Sequence, residues 1–127
     1  MNASASPLKL ASIGVLAVIF VGAGVMHFVR PEGFEEIVPP ALPQKKALVY
    51  LSGLAEIVGG IGLLFRKTRK AAGWGLVALL VAVFPANVYM AVSGRFAHLA
   101  PQWVLWARLP LQPLLMLWVW WTAIREP

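Results

Sequence analysis

A chain of 127 residues has room for one domain. Sixty per cent of it is hydrophobic, 13% is charged and the mean hydropathy is +0.77, which excludes an ordinary soluble domain, whose surface needs more charge. The net charge of +6 does not point to nucleic acid. Four of the basic residues sit together in Arg66-Lys67-Thr68-Arg69-Lys70, a stretch too short to read bases and wedged between two apolar runs. There is no cysteine, so disulfides, CxxC redox chemistry, thiolate metal sites and a cysteine nucleophile are excluded as well.

The first apolar segment, residues 8–29, is long enough to cross a hydrocarbon core about 30 Å thick. Gly22-Ala23-Gly24 imitates a signal-peptide cleavage site, but Lys9 is the one basic residue ahead of it and three more apolar segments follow, so it reads as a retained helix. Arg30-Pro31 ends it, because proline supplies no N–H and restrains the residue before it. Phe34-Glu35-Glu36-Ile37-Val38 then predicts a short surface turn or helix, followed by the stiff connector Pro39-Pro40-Ala41-Leu42-Pro43.

Segment two covers residues 47–65 and runs into the basic stretch, which reads as a loop. Segment three covers residues 71–92 with Pro85 inside it; segment four covers residues 103–124 with Pro110 and Pro113. Prolines are tolerated in membrane helices where neighbours satisfy the freed carbonyls. Short connections make the four segments antiparallel neighbours, so the expected fold is all-α: a four-helix transmembrane bundle over residues 1–127. The positive-inside bias places the basic loop and both termini in the cytoplasm.

Five polar residues interrupt the apolar segments: His27, Glu56, Asn87, Arg108 and Gln112. Such residues are costly in hydrocarbon and usually face a bundle interior. At a rise of about 1.5 Å per residue, Glu56 falls roughly 14 Å from the outer surface and His27 only a few ångströms below it. The positions around Glu56 on its helix face include Ser52, Gly53, Gly59 and Gly60, a small-residue stripe that permits close helix packing. One polar cluster follows, with Glu56 at its floor and Arg108 near enough to tune it. One histidine and one carboxylate make a poor metal set, so no metal is expected. His98 with His27 as a haem pair lacks any fixing spacing.

At these residues the chain resembles the DoxX-like family of small four-helix membrane proteins. The resemblance lies in Gly24-Val25-Met26-His27-Phe28 with Pro31 and Phe34, and in Val38-Pro39-Pro40-Ala41-Leu42-Pro43. It continues through Leu51-Ser52-Gly53-Leu54-Ala55-Glu56-Ile57-Val58-Gly59-Gly60 and Phe84-Pro85-Ala86-Asn87-Val88-Tyr89-Met90-Ala91. It closes on Arg108-Leu109-Pro110-Leu111-Gln112-Pro113, so that it covers most of the chain. It implies a link to quinone-dependent oxidoreductases, redox homeostasis and partner complexes.

The leading functional expectation is a bacterial inner-membrane protein binding a lipophilic molecule such as a quinone, beside a redox partner protein or a second copy of itself. Glu56 and His27 are the candidate catalytic residues; Asn87, Arg108 and Gln112 are the candidate ligand-binding residues. Two rival classes remain open. One is an enzyme using Glu56 for acid/base isomerisation or hydration of an isoprenoid-like substrate; the other is a structural or assembly subunit whose polar residues only tie helices together.

Overall fold

The computed structural model describes residues 6–98 and 100–125, and every regular element among them is helical. Residues 1–5, 99, 126 and 127 of the expected single domain lie outside the described residues. Helix α1 is Pro7–Val29, α2 is Pro31–Ile37, α3 is Lys45–Leu63, α4 is Arg66–Val92 and α5 is Gln102–Val119, continued by a π-helical turn, Trp120–Ile124. Ser6 caps α1 by accepting from the Lys9 amide at 3.2 Å, and Pro7 occupies the first turn, where a missing N–H costs nothing.

The basic stretch corrects the sequence reading. Arg66 to Lys70 are not a loop but the first residues of α4, and only Leu64 and Phe65 separate α3 from α4. The reason is local. The last carbonyls of a helix lack internal donors, and here the basic stretch supplies them. Thr68 Oγ1 donates to the Gly62 carbonyl at 2.7 Å, and Arg69 Nε donates to the Leu63 carbonyl at 2.7 Å. The start of α4 thereby caps the end of α3.

Three helices, α1, α3 and α4, are long and apolar enough to cross a membrane. In α5 the residues Gln102, Arg108 and Gln112 dilute the apolar character. The long helices also turn large apolar side chains outward, among them Val18, Leu51, Val58, Val81 and Leu114.

Glycines set the helix contacts. A Cβ at Gly53 would meet the Cβ of His27 at 2.6 Å, one at Gly24 would meet the Gly53 carbonyl oxygen at 2.5 Å, and one at Gly60 would meet the Val21 side chain at 2.8 Å. Helices α1 and α3 therefore run antiparallel with their backbones nearly touching, the approach that small residues allow. Gly59 faces the other way, onto Leu76 of α4, and Gly73 of α4 lies against Ala123 and Ile124 of the π turn. The end of the chain returns to α1: Trp118 Nε1 of α5 donates to Ser12 Oγ at 3.0 Å, and Lys9 Nζ reaches the carbonyl of Arg125, just past the turn, at 3.5 Å. The described ends of the chain thus meet at one end of the molecule, near the basic start of α4.

Two apolar clusters result. One, at that basic end, gathers Ile13, Leu16, Phe20, Leu63, Leu76, Leu80, Val119 and Ile124. The other, at the far end, consists of Met90, Ala91, Phe96 and Leu105, with Ile37 of α2 against it. Of the buried polar residues, Ser12 and Thr122 lie beside the first cluster, while His27 and Gln112 belong to neither.

Candidate functional site

The Gly24–Gly53 crossing brings His27 of α1 against Glu56 of α3: Nε2 lies 3.2 Å from Oε1, and both side chains are largely buried, 11% and 14% exposed. The other ring nitrogen, Nδ1, is 2.7 Å from the Ala23 carbonyl oxygen. A carbonyl only accepts, so Nδ1 must carry a hydrogen. Phe34 of α2 stacks on the ring at 3.8 Å between centroids, and the neighbouring Phe28–Tyr50 stack closes the α1–α3 seam beside it.

Helix arithmetic set His27 and Glu56 at different depths, yet their side chains touch. The contacts Gly24–Gly53 and Ala17–Gly60 fix an antiparallel register in which the start of α3 runs just past the end of α1, and side chains that lean toward each helix's own N-terminus bring His27 and Glu56 toward each other. Helix α2 folds back over that overhang and places Phe34 above the pair.

A second pair joins α4 to α5. Asn87 Nδ2 donates to Gln112 Oε1 at 2.7 Å, and Gln112 Nε2 donates to the Leu80 carbonyl at 3.0 Å. Leu80 lies one turn from Leu76, the residue Gly59 packs on, so the second pair sits within about one helical turn of the level of Glu56. Pro85 in this part of α4 has no N–H for the Val81 carbonyl, the one next to the Leu80 carbonyl that Gln112 uses.

The expected single cluster is therefore two pairs at nearly one level. Arg108 joins neither. It is exposed on α5, its Nη1 donating to the Met90 thioether at 3.1 Å, and among the described residues no hydrogen bond or ion pair links it to Glu56. The sequence reading missed Phe34 as the cover of His27 and Ala23 as its hydrogen-bond partner. The aromatic three residues beyond Arg30-Pro31 was a signal for the first; a backbone partner four residues back in the same helix leaves none. His98 stays exposed in the α4–α5 connection, and among the described residues no group of three histidine or acidic side chains is placed to hold a metal.

Residues 16–123 match the model of a family described as a domain of unknown function, DUF8561. The chain belongs to that family. No curated protein and no solved structure matches it. The matched span takes in both polar pairs, Phe34 and Arg108, and it leaves out Ser12 and Lys9.

Chemically, a distance of 3.2 Å between His27 Nε2 and Glu56 Oε1 suits one proton between them. With Nδ1 already a donor, a neutral imidazole presents a lone pair at Nε2 and needs a protonated carboxyl; an imidazolium presents N–H to a carboxylate. Either way one proton is shared. Asn87 and Gln112, by contrast, use each other and a backbone carbonyl, which makes them a tie between helices.

Proposed function

We propose that this chain is a multi-pass inner-membrane protein of a bacterium, with α5 and its π turn as a fourth crossing helix. Both termini and the basic start of α4 face the cytoplasm. The support is the gathering of Lys9, Arg125 and Arg66 to Lys70 at one end, which the positive-inside bias places there. A cysteine at Lys67 should label only from the cytoplasmic side; Lys67 is chosen because Thr68 caps α3.

Within the membrane the polar layer binds a lipophilic molecule bearing oxygen, with a quinone or quinol favoured and a redox partner protein taking or giving the electrons. The observation carrying this is the 3.2 Å contact between His27 Nε2 and Glu56 Oε1 at the α1–α3 crossing, with Nδ1 committed to Ala23, since intramembrane ionisable pairs commonly serve as proton relays. The pair would exchange that proton with a hydroxyl or carbonyl oxygen of the guest. Asn87 and Gln112 brace the far wall, and Arg108 lies too exposed to tune Glu56. The resemblance to DoxX-like proteins agrees with this reading and does not carry it.

The test is mass spectrometry of an organic extract of the purified protein. A co-purified quinone that is retained by the wild type and lost from Glu56→Gln, with folding intact, supports the reading. An isoprenoid without a redox ring supports the isomerase class instead. A protein with no extractable guest leaves only the structural role.

A further inference from the structure

At the end opposite the basic turn, α2 and the α4–α5 connection border an open cavity of about 470 Å³. Glu32, Glu35 and Glu36 line it from α2; Arg95 and His98 line it from the connection; Lys45 opens α3 beside them. Tyr89 and the nearly buried Phe96 make its aromatic floor, set edge to face with centroids 5.7 Å apart. Three carboxylates thus share one cavity with two fixed cations. Among the described residues none of these acids pairs with any of these bases within 4.0 Å: the recorded ion pair is His27–Glu56, and the Arg95 Nη1 donates instead to the Tyr89 hydroxyl at 2.8 Å.

These opposite charges face one open cavity without meeting, and in the absence of a guest water is their partner. An occupant with one positive and one negative end satisfies both walls. The acids outnumber the fixed cations by one, so the positive end is an ammonium held by carboxylates, with the half-buried Tyr89 ring beside them. The negative end suits the guanidinium of Arg95 and the ammonium of Lys45, which bind phosphate oxygens. The cavity stands where the apolar helices end, at the level of lipid headgroups, a placement that rests on the membrane reading above.

We infer that this cavity binds a phosphoethanolamine group, presented by the headgroup of a membrane phosphatidylethanolamine. The His27–Glu56 pair takes no part in it, so the two sites can fail separately.

Native mass spectrometry of the detergent-solubilised full chain tests this, with phosphatidylethanolamine, phosphatidic acid and an N-acetylated phosphatidylethanolamine offered at equal concentration. Expected is a preference on the order of tenfold for the lipid with both charges, the size of one charge-assisted contact. Free phosphoethanolamine displacing the lipid supports the same chemistry with a soluble source. Equal retention of all three lipids overturns the proposal, and so does a preference that survives Glu35→Gln with Glu36→Gln. The headgroup comparison needs only the wild type, so it decides the matter even where that double variant folds poorly.

Discussion

His27 Nε2 faces Glu56 Oε1 at 3.2 Å while His27 Nδ1 is committed to the Ala23 carbonyl at 2.7 Å, so the ring has one free nitrogen and the carboxyl is its partner. This relationship separates two substitutions that look alike. In Glu56→Gln the amide can donate to the Nε2 lone pair of a neutral ring, keeping the contact and removing the exchangeable proton. Stability should fall by no more than about 1 kcal/mol, because one hydrogen bond replaces another. In Glu56→Leu the ring nitrogen is left without a partner, and the loss should be about 1–3 kcal/mol. Thermal melts of both variants in detergent check the order. A Gln variant as unstable as the Leu variant would contradict the shared-proton geometry.

The same crossing depends on Gly53. A methyl group there meets His27 Cβ at 2.6 Å and the Gly24 carbonyl oxygen at 2.9 Å, neither of which is the loose end of a flexible side chain. Gly53→Ala should therefore push α1 from α3, costing about 1–3 kcal/mol as overpacking does. It should also break the His27–Glu56 contact. Gly14, with nothing within 4 Å of the position a Cβ would take, is the control. There alanine favours the helix, and Gly14→Ala should leave stability unchanged or raise it by up to about 1 kcal/mol. Equal behaviour of the two variants would sink the close-approach argument.

Much of this was readable beforehand, and the failures share a cause. Apolar length located α1, α3 and α4, and the glycines around Glu56 announced a close contact, because both signals are local to one helix. What periodicity could not supply was register between helices. Glu56 and His27 looked about 10 Å apart in depth because each was measured from its own helix end at about 1.5 Å per residue. The two helices run antiparallel and their side chains lean toward their own N-termini, so His27 reaches back toward Ala23 and Glu56 reaches out to meet it. Arg108 was paired with Glu56 on charge alone, and its helix turns it outward. The basic stretch looked like a loop because charge marks membrane boundaries, yet Thr68 and Arg69 use their side chains to join two helices.

The Asn87–Gln112 tie should behave as structure. Gln112 is buried and donates to the Leu80 carbonyl while accepting from Asn87. Gln112→Leu strands the Asn87 amide and should cost about 1–3 kcal/mol. Because Asn87 and Gln112 share a bond, a double-mutant cycle between them should show coupling of about 0.5 kcal/mol or more. Arg108→Gln, on an exposed residue whose partner is a thioether, should stay within about 0.5 kcal/mol of the wild type. A large loss for Arg108→Gln, relieved by Glu56→Gln, would restore the ion pair that the geometry denies.

Thr122 makes the opposite case, a polar group whose removal should help. It sits in the π turn with 4% of its surface exposed, and among the described residues its Oγ1 has no hydrogen-bond partner. In a regular helix a threonine hydroxyl bonds the carbonyl three or four residues back. The π turn opens that spacing, with the Arg125 amide reaching back five residues to the Trp120 carbonyl at 2.8 Å. A buried hydroxyl without a partner carries a desolvation cost of about 1–3 kcal/mol, and valine has nearly the same shape without the oxygen. Thr122→Val should accordingly raise the thermal midpoint. Thr122→Ser keeps the hydroxyl and removes a packed methyl group, so it should lower the midpoint, by an amount equivalent to about 1 kcal/mol. Detergent melts of the two variants beside the wild type give the ranking directly. Should the valine protein melt below the wild type, the hydroxyl has a partner after all, and the π turn is held by a polar contact rather than by the packing of Ala123 and Ile124 on Gly73.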